Sequence, residues 1–186
     1  MRPFRIFSAA LLAAALAASP AFAKSRIKDI VEFEGVRDNM LVGYGLVVGL
    51  NGTGDSLRNA PFTRQSLEAM LERLGVNTRD VTLNTKNVAA VMVTARLPAF
   101  VAAGTPIDAS VSAMGHAKSL QGGTLLVTPL MGADGQAYAV SQGTVQTGSI
   151  SAAGASGSSV SKGVPTAGRI AGGAIVEREI GFQLAN

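Results

Sequence analysis

The stretch from Leu41 to Asp55, LVGYGLVVGLNGTGD, constrains this chain more than any other, because its five glycines admit only two physical readings. The first is a phosphate loop. Gly49 to Ser56 fits G-x-x-x-x-G-K-S except at the lysine, where Asp55 stands. A phosphate cradle works through backbone N–H groups and a lysine that reaches the phosphates, so a carboxylate at that place would repel the ligand. The dinucleotide fingerprint fails as well, since Gly43, Gly45 and Gly49 are spaced G-x-G-x-x-x-G and no helix follows at once. The second reading is structural: an apolar strand over Leu41 to Leu50, a tight turn at Asn51-Gly52, and a further glycine at Gly54 before Asp55. Gly43 and Gly45 lie two apart, hence on one face of that strand, where missing side chains let another backbone or a partner surface come close. The absent lysine favours the structural reading.

Ahead of this stretch stands a leader. Arg2 and Arg5 make a positive n-region, Ile6 to Ala18 an apolar h-region, and Ala21-Phe22-Ala23 a small-x-small cleavage site, so residues 1–23 are expected to be removed between Ala23 and Lys24 on export. The apolar run is too short to span a bilayer comfortably. Without Arg2 and Arg5 the 16 basic residues fall to 14 against 12 acidic ones, which is no nucleic-acid footprint. The precursor's pI of about 9.9 overstates the basicity of the exported chain. With no cysteine, thiol catalysis and thiolate metal sites are excluded for this stretch, and His116 alone cannot build a His-rich metal centre. The reading is of no enzyme, no cofactor and no metal.

Pro61-Phe62-Thr63 opens the clearest helix, expected over 63–74. Thr63 is placed to cap it, Phe62 and Leu67 to staple it, and Leu67, Met70, Leu71 and Leu74 to form its apolar stripe, with Gly75 ending it. Strands are expected at Val88–Ala95, at the alternating run Ile107–Ala113, at Leu125–Leu130 and at Ala137–Val145, the last two joined by a hairpin turn at Ala133-Asp134-Gly135. A helix among several short antiparallel strands argues an α+β core domain over 24–147. Residues 148–168, rich in Gly, Ser and Ala, are expected to form a mobile loop, and 169–186 to start a further β segment in a chain that looks truncated.

The motifs taken together resemble the flagellar P-ring family: Arg26-Ile-Lys-Asp-Ile30, Gly35-Val-Arg-Asp-Asn39, Gly43-Tyr-Gly-Leu-Val-Val-Gly-Leu50 with Gly52-Thr-Gly-Asp55, Lys86 to Ala95, Ala117-Lys-Ser-Leu120, Gly122-Gly-Thr-Leu125 and Gly172 to Glu179. The resemblance implies the N-terminal portion of a non-enzymatic periplasmic subunit. Many copies would close into a homo-oligomeric ring around the distal rod, at the level of the peptidoglycan and beneath the L-ring protein, forming a bushing for rotation. It also implies a periplasmic assembly chaperone as partner, and it makes Lys86 and Lys118 the cations that face an acidic rod. Two other classes stand beside it. A secreted surface or adhesin-type polymer would share the Ala/Gly/Ser composition and be found outside the cell. An exported phosphate-binding enzyme would need the glycine loop to hold a ligand.

Overall fold

The computed structural model describes residues 36–78, 83–153 and 159–181. The leader, the cleavage site at Ala23 and Lys24, and residues 154–158 of the Gly/Ser stretch lie outside them. Among the described residues, eight strands and one helix follow in chain order: β1 (Asn39–Val48), α1 (Pro61–Arg73), β2 (Val88–Leu97), β3 (Pro106–Ala113), β4 (Thr124–Met131), β5 (Ala137–Thr144), β6 (Ile150–Ala153), β7 (Ser159–Lys162) and β8 (Ala167–Val176).

Six strands close on themselves as an antiparallel barrel in the order β1-β2-β3-β8-β5-β4, with β4 returning to β1. This corrects the expected α+β class. Three of the barrel strands run ten residues each, so they are not uniformly short, and α1 is a lone excursion on the outside. Periodicity reports which face of a strand is apolar, but not that the last pairing joins the sheet's two edges. Within the Gly/Ser stretch, β6 and β7 pair as a separate two-stranded ladder. β8 then enters the barrel between β3 and β5.

The barrel interior is filled by alternate residues of each strand, among them Leu41, Val47, Val91, Val93, Val111, Leu125, Leu130 and Val176. β4 passes close to β1. Here Gly43 and Gly45 face inward, and a Cβ at Gly43 would lie 2.7 Å from Leu130 Cδ2, with the Pro129 carbonyl closer still. The β1–β4 register shifts between Val42 and Val47, and Pro129, which has no N–H to donate, sits in that irregular section.

A second apolar cluster lies outside the barrel. Leu57 and Leu67, with Met70 and Leu71 beside them, pack on Leu46, Val88 and Ala90. β2 is therefore buried on both faces where it begins, which explains its unbroken apolar run Val88 to Val91. Burying Leu67 contributes roughly 1.5–3 kcal/mol. The start of α1 departs from expectation. Ala60 is the N-cap, with no side chain bonding the first turn; Thr63 lies inside the helix, and Phe62 is exposed rather than stapled to Leu67. The C-terminus ends at Gly75 (φ +83°), with Gly75 N–H donating to Glu72 O and Val76 N–H to Leu71 O, the Schellman pattern. Leu74 is 72 % exposed, so the apolar stripe stops one turn earlier than its spacing suggests.

Candidate functional site

The loop after β1 leaves the barrel end at Gly49 (φ +80°) and turns at the exposed pair Asn51-Gly52. Four of its amides are engaged by protein acceptors, the first being Leu50 N–H, which donates to Asn87 O (3.1 Å). Gly52 N–H donates to Asn87 Oδ1 (3.0 Å), Gly54 N–H to Lys86 O (2.6 Å) and Asp55 N–H to Val88 O (2.8 Å). A phosphate cradle needs such amides free and convergent, so the arrangement opposes the phosphate-loop reading on geometry as well as on the absent lysine.

The other end of the same segment ties in the connection between β3 and β4. Lys118 N–H donates to Thr53 O (2.7 Å), and Thr53 Oγ1 donates to Ser119 O (2.8 Å). Thr53 C=O and Gly54 N–H belong to one peptide group. The backbones of Lys86 and Lys118 are thus hydrogen-bonded to opposite sides of a single peptide plane, though the two residues are 32 positions apart in the chain. Both residues are exposed, and among the described residues neither joins an ion pair. The backbones of two exposed lysines therefore meet at one end of the barrel. His116 lies two residues from Lys118 and is also exposed.

Asp55 is fully buried. Its Oδ2 accepts from Thr63 Oγ1 of α1 (2.9 Å) and from the amide of Ala90 in β2 (2.9 Å), while Oδ1 has no hydrogen-bond partner. Gly115 packs against the carboxyl group, and a Cβ there would lie 2.6 Å from Asp55 Cγ. Spacing puts Asp55 in the turn motif but does not reveal Thr63, Val88, Ala90 and Gly115 as its surroundings. The available signal is Thr63 itself, a hydroxyl eight residues from an acid in a turn, which its position before an apolar stripe disguises as a cap.

Elsewhere, a groove of about 300 Å³ runs between α1 and the barrel, lined by Tyr44, Ser66, Met70, Arg73, Val127 and Pro129. A second, of about 420 Å³, includes Arg37, Asp38, Asp134 and Tyr138. Tyr138 donates its hydroxyl to Asp134 Oδ2 (2.6 Å), and this bond is the chief reason that Asp134 sits below its usual carboxylate value and Tyr138 above 10.0. A tyrosine shifted that way keeps its proton. The pair locks the β4–β5 turn rather than supplying a nucleophile.

A sequence profile described as flagellar P-ring protein matches residues 26–186. Among similar curated proteins, the flagellar P-ring protein of Caulobacter vibrioides (strain ATCC 19089 / CIP 103742 / CB 15) is 74% identical over 98% of this chain and 50% of its own length. That of Caulobacter sp. (strain K31) is 72% identical over 97% of this chain and 49% of its own. The one from Paramagnetospirillum magneticum (strain ATCC 700264 / AMB-1) is 68% identical over 97% and 48%. The chain spans about half the length of the curated relatives it matches.

Proposed function

The chain belongs to the flagellar P-ring protein family, and we propose that it serves as a structural, non-catalytic subunit of the basal-body P ring. Exported by its leader with cleavage between Ala23 and Lys24, the protein assembles in the periplasm as a homo-oligomeric ring around the distal rod. It adjoins the peptidoglycan and the L-ring protein, and a dedicated chaperone assists its assembly. The match over residues 26–186 carries this reading.

The paired lysines fit the bushing role. A wall around a turning rod must attract without locking. Exposed ammonium groups on flexible stems do this, because each solvent-screened contact with a carboxylate is worth only about 0–1 kcal/mol and fixes no geometry. At physiological salt their field extends roughly 8 Å, enough to guide subunits onto an acidic rod during assembly. The backbones of Lys86 and Lys118 are bonded to one peptide group, which supports reading the two exposed residues together.

The test is a double reversal, Lys86→Glu with Lys118→Glu, in the full-length gene. Basal bodies are then counted by electron microscopy, and the subunit is quantified in the periplasm. The expected result is a normal amount of folded subunit with far fewer ringed particles. An unaltered ring count would sink the rod contact.

A further inference from the structure

Asp55 immediately follows the peptide group to which the two lysine backbones are bonded, and its own amide and carboxyl group add further ties to β2 and α1. We infer that Asp55 is the positioning residue for the Lys86–Lys118 pair, an inference that rests on reading those lysines as the rod contact.

Three connections meet at this residue. Asp55 N–H is bonded to Val88 O, and Oδ2 accepts from Ala90 N–H, so both ends of the residue are fixed to the first residues of β2 just past Lys86. Thr63 Oγ1 brings in α1. Ala90, whose amide Asp55 captures, accepts at its own carbonyl from Met114 N–H (2.9 Å), which opens the connection leading to Lys118. Gly115, next along that connection, packs directly on the carboxyl group. Asp55 thereby fixes the Thr53–Gly54 peptide relative to both segments that carry a lysine.

The position requires an oxygen that can accept from a hydroxyl and an amide of two different elements at once. A carboxylate or a carboxamide oxygen provides that with its two lone-pair directions. The closeness of Gly115 leaves no room for a longer side chain. Both bonds fall on Oδ2, and a carboxamide oxygen accepts from the same two donors. The acceptor on Oδ2 is the working group, so Asn at this position serves as well as Asp.

Native-state amide exchange followed by NMR on the full chain tests this, because it separates local loosening from global unfolding. In Asp55→Ala, the amides of Gly54 and Lys118 should lose about tenfold more protection than those of β3 and of β2 beyond Ala90, whose amide loses its acceptor directly, while Asp55→Asn restores the wild-type pattern. If Asp55→Ala does not fold, Thr63→Val, which deletes one of the two donors, decides by the same comparison. Parallel loss in loop and barrel would overturn the inference by reducing Asp55 to a stability role; so would an Asp55→Asn variant as loosened as the alanine one. The exchange result is independent of the ring count. An unaltered count in the double lysine reversal removes the rod contact yet leaves the exchange comparison standing.

Discussion

Two aspartates in this barrel do similar geometric work in opposite surroundings. Asp55 captures the Ala90 amide and a hydroxyl in full burial. Asp108 on β3 accepts from the Gly172 amide (2.8 Å) and pairs with Arg169, on the exposed face of β3 and β8. The second site answers a break in the ladder: the β3–β8 register shifts between Ile107 and Ala109, and Gly172, at φ +56°, turns its N–H away from strand pairing. Ser141 Oγ holds the same bulge from the other side by donating to Gly173 O (2.9 Å). Burial is what separates the two aspartates. At Asp55 neutral donors are withdrawn from water and have no substitute for their acceptor. At Asp108 water can replace either partner, and salt screens the guanidinium.

The largest expected effect follows from the buried site. Asp55→Ala leaves the Thr63 hydroxyl and the Ala90 amide buried without acceptors, at about 1–3 kcal/mol each, so urea denaturation should show a loss of about 2–6 kcal/mol. A denaturation midpoint within error of wild type would mean that water enters the site and that the two aspartates are alike after all. Next comes Gly115→Ala, which drives a methyl group into the Asp55 carboxyl. Overpacking there should cost about 1–3 kcal/mol in the same assay. The combination of Gly115→Ala with Asp55→Ala should cost less than the sum of the two, because the clash disappears with the carboxyl group.

The smallest effect belongs to Asp108. Its carboxyl is held below the usual 3.8, first by the Gly172 amide and then by Arg169. A carboxylate with a depressed folded-state value adds stability that is present above the unfolded value and is lost as pH falls through the folded one. Protection of the Gly172 amide should therefore be constant from neutral pH down to about 4 and decline below that, with the Lys118 amide unaffected over the same interval. Asp108→Asn should lower Gly172 protection at neutral pH and leave the global denaturation midpoint nearly unchanged at high salt. A large global loss in that variant would place Asp108 with Asp55 and erase the distinction.

Much of this fold is legible in local residue patterns. The run Val88 to Ala95, the alternation from Ile107 to Ala113 and the turn at Asp134-Gly135 all mark strands or hairpins locally, and Gly75 marks the end of α1. Leu74 and Thr63 mislead for related reasons. A helical stripe does not say where packing stops, and a hydroxyl near a helix start does not say whether it will bond the backbone or a carboxylate from another loop. Gly43 and Gly45 announce a close approach without naming Pro129 and Leu130 as what approaches, because β4 lies more than 80 residues further along the chain. The same limit hides β8, which the Gly/Ser stretch makes look like the beginning of something separate.

From sequence alone come the places of the six barrel strands along the chain, the place of the helix, the lack of cysteine in this stretch, the missing lysine in the glycine loop, and the resemblance to the flagellar P-ring family. All of these reside in composition, spacing or motif, which neighbouring residues determine among themselves. The closed barrel, the burial of Asp55 and the meeting of Lys86 and Lys118 on one peptide group were decided only by tertiary structure. Each depends on hydrogen bonds between residues tens of positions apart, whose partners are selected by register and closure rather than by anything either residue carries.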